Sequence, residues 1–470
     1  MNPSIAGDTS GKHIVRQASL SATLTRAPMT MDGPTGEPLP GAGSDMPLAS
    51  PASRREIPTR IVQRVDDPSP DRANSQALDD LANGAGGLAI VFDGAPNAFG
   101  YGLPVSQEAL AIALDGVPLT RTHLRLDVHP QSRASVDWLV QLLGARRISP
   151  ERLDISFGID PAALFAGTGR LRMSIEAMYA SMPQSLAHFF ALGVPGILLE
   201  ADGRVFHNAG ATDAQELGIM LASAIGYLRM FEEARQPVLY AAAHIGFATS
   251  LDQDHSRSVA KLRALRALWG RVLESYSVPP AEPVVHVEAS YRTMTSRAPE
   301  TNLARNALAA MAAFEEGVAT FSPLPHTLAL DLPDAHARRM SRDTLLVLAA
   351  EGNLAPLDAS GHGHVQALVS ALCERAWDEL QTSEAEGGIL KSISEGRIQA
   401  RIADSREMQA MSLREGLVPI VGTTLHPSEH NGYKPRPQTP EASPAEDGTI
   451  LCESLPAVRL EELLEESAGA

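Results

Sequence analysis

The sequence predicts an α/β protein built on a closed (β/α)8 TIM barrel, with an N-terminal extended arm and a C-terminal helical extension. Short apolar runs bounded by glycine, proline or aspartate recur at regular intervals, which is typical of buried parallel strands. The segments between them carry helical periodicity, for example Ser258–Trp269. Eight such units make a barrel of ordinary size, and a doubly wound open sheet is the alternative.

The apolar runs that we interpret as strands are each followed by a stretch with helical periodicity. The runs are Leu88–Phe92, His123–Val128, Leu153–Phe157, Gly196–Glu200, Val238–Phe247, Val284–Ala289, Ala319–Leu324 and a weak run near Leu354–Leu357. Because a helix separates each strand from the next, the strands are expected to lie parallel and to meet at one end with their carboxyl termini.

Composition separates an N-terminal arm from the barrel. Residues 1–55 are rich in serine, threonine, glycine and proline, and we interpret them as a largely irregular arm that wraps a partner. They are also poor in acidic residues at first, so an organelle transit peptide is the other interpretation. Residues 56–360 hold the repeated strand–helix pattern and are assigned to the barrel.

The chain after the barrel is predicted to have two parts. Residues 361–428 carry two helical stretches, Val365–Gln381 and Glu384–Ile402, of which the second is interrupted by glycines. Residues 429–470 are rich in proline, glutamate, serine and glycine, and we interpret them as a linker followed by an acidic tail. A short helix at Leu455–Glu466 would either dock on a partner or fray.

Bulk composition excludes several classes of protein. The 470-residue chain has a formal net charge of −17, which argues against binding to nucleic acid. It has only two cysteines, so neither a disulfide framework nor a cysteine-rich zinc site is expected, and a reducing compartment, the cytoplasm, is predicted. No apolar run is long enough to span a membrane.

One histidine stands where barrel enzymes commonly carry function. His207 follows the apolar run Gly196–Glu200 and precedes a long helical pattern, so we expect it in a loop at the carboxyl end of a strand. There it could act as an acid or donate a hydrogen bond to a carbonyl group. A structural histidine bonded to the nearby backbone is the alternative.

Basic residues and a histidine pair are weaker candidates for binding sites. Lys261, Arg263 and Arg266 share one predicted helix, and His336–Arg342 forms a second basic group. Such groups could hold the phosphates of an anionic ligand, or they could be solvated and paired with the surplus carboxylates. Gly361–His364 has two histidines but no acidic or cysteine ligand fixed nearby, so we predict no metal site.

Several motifs, in the same order, resemble the adenosylcobalamin-dependent methylmalonyl-CoA mutase family. They are Leu78–Ala85, Phe206–Leu217, Ala260–Trp269 and Ala337–Thr344. The resemblance implies a barrel with acyl-CoA along its axis and a separate cobalamin-binding domain. It also implies the radical isomerisation of methylmalonyl-CoA and succinyl-CoA, and it aligns His207 with the family's catalytic histidine.

Departures from the family pattern indicate which subunit the chain resembles. The cobalt-binding motif Asp-x-His-x-x-Gly does not occur, and Gly158–Ala162 replaces the Gln-Asn-Asp stretch of catalytic barrels. No tyrosine precedes Tyr101, although catalytic barrels carry one before the first strand. Tyr291–Thr295 instead resembles the small, beta-type subunit. By this resemblance the chain has no cobalamin-binding domain, and His207 is the candidate catalytic residue, either functional or vestigial, although alone it cannot carry out the reaction.

The sequence therefore predicts the small (beta) subunit of a heterodimeric methylmalonyl-CoA mutase. The resemblance implies a catalytic large subunit as partner, which would bind adenosylcobalamin and turn over the acyl-CoA, so the complex would be an isomerase. One alternative is a catalytic mutase barrel that uses a cobalamin-binding domain on a separate chain. Another is a free-standing acyl-CoA-binding or regulatory protein. Sequence alone leaves open whether the barrel channel is open or filled.

Overall fold

The computed structural model describes residues 59–130, 132–352, 354, 363–427 and 449–465. Eight parallel strands surround a common axis and helices cover their outer side, which confirms the predicted (β/α)8 barrel. The predicted arm, residues 1–55, and the predicted linker after residue 428 up to residue 448 lie outside the described residues.

The strands are short and almost entirely buried, as expected for a sheet covered by helices. In chain order they are β1 (Arg60–Val65), β2 (Gly87–Ile90), β3 (His123–Leu126), β4 (Asp154–Phe157), β5 (Arg170–Leu171), β6 (Leu199–Asp202), β7 (Ile245–Leu251), β8 (Val284–Ala289), β9 (Thr320–Ser322) and β10 (Ile450–Leu451). β5 and β10 pair with each other outside the barrel. The other eight follow the order β4-β3-β2-β1-β9-β8-β7-β6. A bridge between Ser156 and Ile197 joins the two ends of this order.

The predicted strands differ from the structure at three places, one of which is a strand that was not predicted. The first barrel strand is β1, which the sequence did not reveal because Gln63 and Arg64 interrupt its apolar run. In the predicted strand Val238–Phe247, the first residues form a helix and the strand begins at Ile245. At the predicted run near Leu354–Leu357, Leu354 is not in a strand and the rest lies outside the described residues.

The helices form an outer ring and then a C-terminal extension. They are α1 (Pro70–Ala82), α2 (Gln107–Ala113), α3 (Ser132–Arg146), α4 (Pro161–Thr168), α5 (Ile175–Ala191), α6 (Arg204–Asn208), α7 (Asp213–Glu233), α8 (Val238–Ala242), α9 (His255–Ser275), α10 (Thr301–Glu315), α11 (Ala335–Glu351), α12 (Gly363–Ala385), α13 (Ile389–Ser394), α14 (Arg397–Arg414) and α15 (Glu462–Glu465). In the described part of the chain, no helix is both long and apolar enough to cross a membrane.

Helix α12 of the extension packs against α7 and α9, so the extension belongs to the body of the barrel. Gly218 allows this close approach: a Cβ there would lie 2.6 Å from the Cβ of Glu379 and 2.7 Å from the carbonyl oxygen of Ala376. Gly226, two turns along α7, would meet only the Tyr179 hydroxyl, at 3.5 Å.

These two glycines give a matched pair of stability predictions. Gly218→Ala is expected to lower the free energy of unfolding by about 1–3 kcal/mol, because the added methyl overlaps atoms of α12. Gly226→Ala is expected to raise it by up to about 1 kcal/mol, since alanine favours a helix and meets no obstacle. Urea unfolding of both variants measures the difference; equal effects would contradict the close packing of α7 on α12.

Residues 449–465, called the strap below, are packed against the barrel. Leu455 and Leu463 are buried, and Arg459 and Glu461 are 2% and 1% exposed. The sequence indicated a frayed or partner-docking tail here, because the chain after Pro427 is rich in proline, glutamate and serine. The structure differs, because the buried side chains of the strap pack against the chain itself, whereas Leu451 is 57% exposed.

Candidate functional site

His207 lies at the carboxyl end of a barrel strand, on the short helix α6 that follows β6. Its side chain is 1% exposed, and both ring nitrogens have partners. Nδ1 is 3.0 Å from Oε2 of Glu216, and Nε2 is 2.8 Å from Oγ of Ser290. A carboxylate can only accept, so Nδ1 donates to Glu216, and the Ser290 hydroxyl then donates to Nε2.

Glu216 is the centre of this cluster. Besides His207, its carboxylate accepts hydrogen bonds from the ammonium of Lys261 and from the hydroxyl of Thr249. Lys261 also lies 3.3 Å from Oδ1 of Asp213, so one ammonium serves two carboxylates. Helix α7 places Asp213 and Glu216 in its first turn, which a capping box at Thr212 fixes.

Electrostatics keep the histidine neutral. Burial, together with the positive charges of Arg292 and Lys261, holds the pKa of His207 well below its ordinary value. Burial raises the pKa of Glu216, and the charge of Lys261 opposes that rise. The pKa of Asp213 is lowered, because Lys261 and Arg257 outweigh its burial. The neutral ring therefore connects Glu216 to Ser290 through its two nitrogens.

One histidine and two carboxylates of the cluster have the composition of a metal site. His207, Asp213 and Glu216 each offer a ligand atom within 4.8 Å of the others. The ammonium of Lys261 already stands between the two carboxylates and balances their charge. We therefore assign the cation position of the cluster to Lys261.

A second polar network lies inside the barrel. Arg64 on β1 is 2.7 Å from Glu288 on β8, although β9 separates these strands. Arg125 on β3 forms a two-pronged pair with Glu200 on β6, although β4 separates them. Helices cover the outside of the barrel, so both pairs must cross its interior. Each of these side chains is at most 3% exposed.

Arg204 connects the two halves of the interior network. Its guanidinium bonds both oxygens of Asp202, at 2.9 and 2.7 Å, and also pairs with Asp127 and Glu288. Its charged surroundings raise its pKa well above the ordinary value despite complete burial. The space along the barrel axis is thus occupied by guanidinium and carboxylate groups that are paired with one another.

The Gly158–Ala162 stretch has a structural role. Asp160 caps helix α4 by accepting from the backbone N–H of Ala162, and it also accepts from Asp202 N–H and, at 2.6 Å, from the Tyr227 hydroxyl. Burial raises the pKa of Asp160 to about 7, against these hydrogen bonds, which lower it. Its carboxyl group thus joins α4, β6 and α7 through hydrogen bonds that it accepts.

The structure separates the other predicted candidates. Lys261 belongs to the His207 cluster, whereas Arg263 and Arg266 both pair with Glu316 on the outer side of the barrel. Within the second basic group, Arg338 pairs with Asp66 and Arg342 with Asp80. These partners differ and are buried, so the basic residues do not converge on one anion. Of the two histidines in Gly361–His364, His362 lies outside the described residues, and His364 is exposed.

Sequence reasoning missed Glu216, Ser290 and Thr249. A glutamate in the first turn of a helix usually faces solvent and stabilises the helix dipole, so its position carried no signal of burial. Ser290 directly follows β8, and its place at the carboxyl end of a strand was the one available indication.

Comparison with known proteins gives the family. A family model for methylmalonyl-CoA mutase matches residues 49–446. The methylmalonyl-CoA mutase small subunit of Streptomyces virginiae is 32% identical, over 98% of this chain and 73% of that protein. The small subunit of Propionibacterium freudenreichii subsp. shermanii is 27% identical, over 77% of this chain and 56% of that protein.

The large subunit of Streptomyces virginiae is less similar than its small subunit, at 24% identity over 78% of this chain and 53% of that protein. The chain therefore spans between about half and three quarters of the length of these relatives. The match covers the barrel, the His207 cluster and the extension. The chain belongs to the methylmalonyl-CoA mutase family, in which it is more similar to these small subunits than to the large subunit.

Proposed function

We propose that this chain is the small, non-catalytic subunit of a heterodimeric methylmalonyl-CoA mutase. A catalytic large subunit would isomerise methylmalonyl-CoA and succinyl-CoA, and this chain would support that subunit, in the cytoplasm. The observation that carries the proposal is the interior network of Arg64, Arg125 and Arg204, which occupies the space that an acyl-CoA would need.

The residues of this chain do not fit adenosylcobalamin. His207 uses both ring nitrogens within the protein, and the sequence lacks the cobalt-binding motif. The strap also lies over the carboxyl end of the barrel, next to Asn208 and Arg292. The cofactor would accordingly be bound by the large subunit, and the N-terminal arm, residues 1–55, would wrap that partner.

Co-expression tests the proposed assembly. A tagged form of this chain, produced with a large mutase subunit that carries Asp-x-His-x-x-Gly, is expected to retain that subunit in equal amount and to yield mutase turnover. The chain alone, supplied with adenosylcobalamin and methylmalonyl-CoA, is expected to be inactive. Turnover by this chain with only a small cobalamin-binding protein would instead establish the catalytic alternative, and acyl-CoA binding by the isolated chain would support the regulatory one.

A substitution of His207 tests whether this subunit performs chemistry. In the purified complex, His207→Gln is expected to leave kcat within about twofold, because the ring is buried and neutral; a catalytic acid or base contributes about 10²–10⁴-fold. Ser290→Ala is the matched control, since it removes the same hydrogen bond from the other side. A hundredfold loss in His207→Gln with normal activity in Ser290→Ala would assign catalysis to this chain.

A further inference from the structure

The strap crosses the end of the barrel at which the strands finish, called the mouth below. It begins beside β5, where β10 pairs antiparallel with Arg170–Leu171. Backbone N–H groups along the strap then donate to carbonyl oxygens around the mouth. These bonds run from Cys452 to Gly169 at 2.9 Å, from Leu455 to Ala166 at 2.8 Å, from Val458 to Asn208 at 2.7 Å and from Leu460 to Arg292 at 2.8 Å.

The acceptors of these bonds come from three different strand–helix units. Ala166 lies on α4, which follows β4, Asn208 on α6, which follows β6, and Arg292 in the segment after β8. An extended segment that donates to carbonyl groups of three separate units makes main-chain contacts of the kind by which proteins recognise peptides. The mouth thus presents a groove whose floor is made of backbone acceptors.

A buried charged anchor adds specificity to the groove. Glu461 is 1% exposed, and its carboxylate accepts from the Thr295 hydroxyl at 2.6 Å and from both the N–H and the hydroxyl of Ser296 at 2.8 Å. Arg459, which is 2% exposed, pairs with Glu461. Burying a carboxylate costs much free energy unless hydrogen-bond donors compensate for the lost water. The donors of Thr295 and Ser296 therefore favour an acidic side chain at this position.

The strap covers the His207 cluster directly. Val458 bonds to the residue after His207, and Leu460 bonds to the second residue after Ser290. The central part of the strap is therefore bonded to the two segments that carry His207 and Ser290. Removing the strap would admit water to both residues.

We propose that the mouth is a peptide-binding groove and that residues 449–465 are its built-in ligand, which closes the barrel over His207 and Ser290. Residues 428–448 tether this ligand, so its effective concentration at the groove is high and the closed form dominates. A segment of another protein with an acidic residue in the place of Glu461 would have to displace the strap to reach the mouth. This inference is independent of the mutase role.

Cleavage of the tether tests the proposal on the complete chain. A specific protease site is placed within residues 428–448, the folded protein is cut, and the two fragments are examined by size-exclusion chromatography at micromolar concentration. The strap fragment is expected to stay with the barrel. In Glu461→Ala the dissociation constant is expected to rise at least tenfold, as charge-assisted hydrogen bonds are lost, whereas Glu453→Ala, at an exposed position of the same segment, is the matched control.

Hydrogen exchange provides the second readout. After release of the strap, amides of residues 206–211 and 290–296 are expected to exchange faster, while those of strands β1 and β2 keep their protection. Separation of the wild-type fragment from the barrel at micromolar concentration would overturn the proposal. Equal affinities of the Glu461→Ala and Glu453→Ala fragments, or unchanged exchange at 206–211 on release, would do so as well.

Discussion

Arg125→Met is expected to lower the free energy of unfolding by about 3–5 kcal/mol, since it leaves a carboxylate without its partner inside the barrel. Arg125 donates two hydrogen bonds to Glu200 and one to Asp127, and all three side chains are buried. Methionine fills a similar volume but offers no donor. Urea or guanidinium unfolding, followed by far-UV circular dichroism, measures the loss.

Two further variants show how much of the loss in unfolding free energy comes from the unpaired buried charge and how much from the lost contact. Arg414→Met makes the same substitution in the pair with Glu407, where both side chains are largely exposed, and is expected to cost less than about 1 kcal/mol. The double variant Arg125→Met with Glu200→Gln is expected to lose less than the sum of its single changes, because the unpaired charge has been removed. Additive losses of unfolding free energy would mean that Arg125 and Glu200 do not interact. Equal losses in Arg125→Met and Arg414→Met would mean that the interior pair contributes no more than the surface pair.

Lys261→Met is expected to have a comparably large effect, with a pH dependence that identifies its cause. Lys261 supplies the only ammonium group that the described residues place on Glu216, and it also balances Asp213. Without it, the buried Glu216 loses its counter-charge and Asp213 keeps only Arg257, at a cost of about 3–5 kcal/mol near neutral pH. Thermal or urea unfolding at several pH values measures this.

The direction of the pH effect on stability follows from the raised pKa of Glu216. Burial already raises the pKa of Glu216 above its ordinary value of 4.5, and Lys261 opposes that rise. In Lys261→Met the native state therefore keeps a proton that the unfolded chain releases above pH 4.5, so stability falls as the pH rises through that range. The loss is expected to be larger at pH 8 than at pH 5. Arg257→Met, which removes the half-exposed partner of Asp213, is the matched control and should show no such increase.

Together these networks place paired charges inside the barrel and around His207. The interior arginines occupy the axis, and Lys261 with Glu216 holds His207 neutral and hydrogen-bonded on both sides. The guanidinium groups of Arg64, Arg125 and Arg204 each pair with carboxylates of the chain itself.

Periodicity in the sequence was sufficient for the barrel but not for all of its strands. Runs such as His123–Val128 and Val284–Ala289 coincide closely with β3 and β8, because a strand buried on both faces is apolar along its length. The sequence did not predict β1, because Arg64 interrupts its apolar run. The partner of Arg64 is a carboxylate across the barrel, which no local pattern reveals. His207 was found from its position after a strand, whereas its partners Glu216 and Ser290 come from elements distant in sequence.

The sequence by itself determined the fold class, the family resemblance and the missing cobalt-binding motif, since these depend on the identity and order of residues along the chain. Only the tertiary structure decided that charged pairs cross the barrel interior and that the strap is bonded across its mouth. Both outcomes depend on charges such as Arg125 and Glu461, whose partners are more than seventy residues away. A charged residue is stable inside a protein only where opposite charges or donors converge, and that convergence is a property of the folded chain.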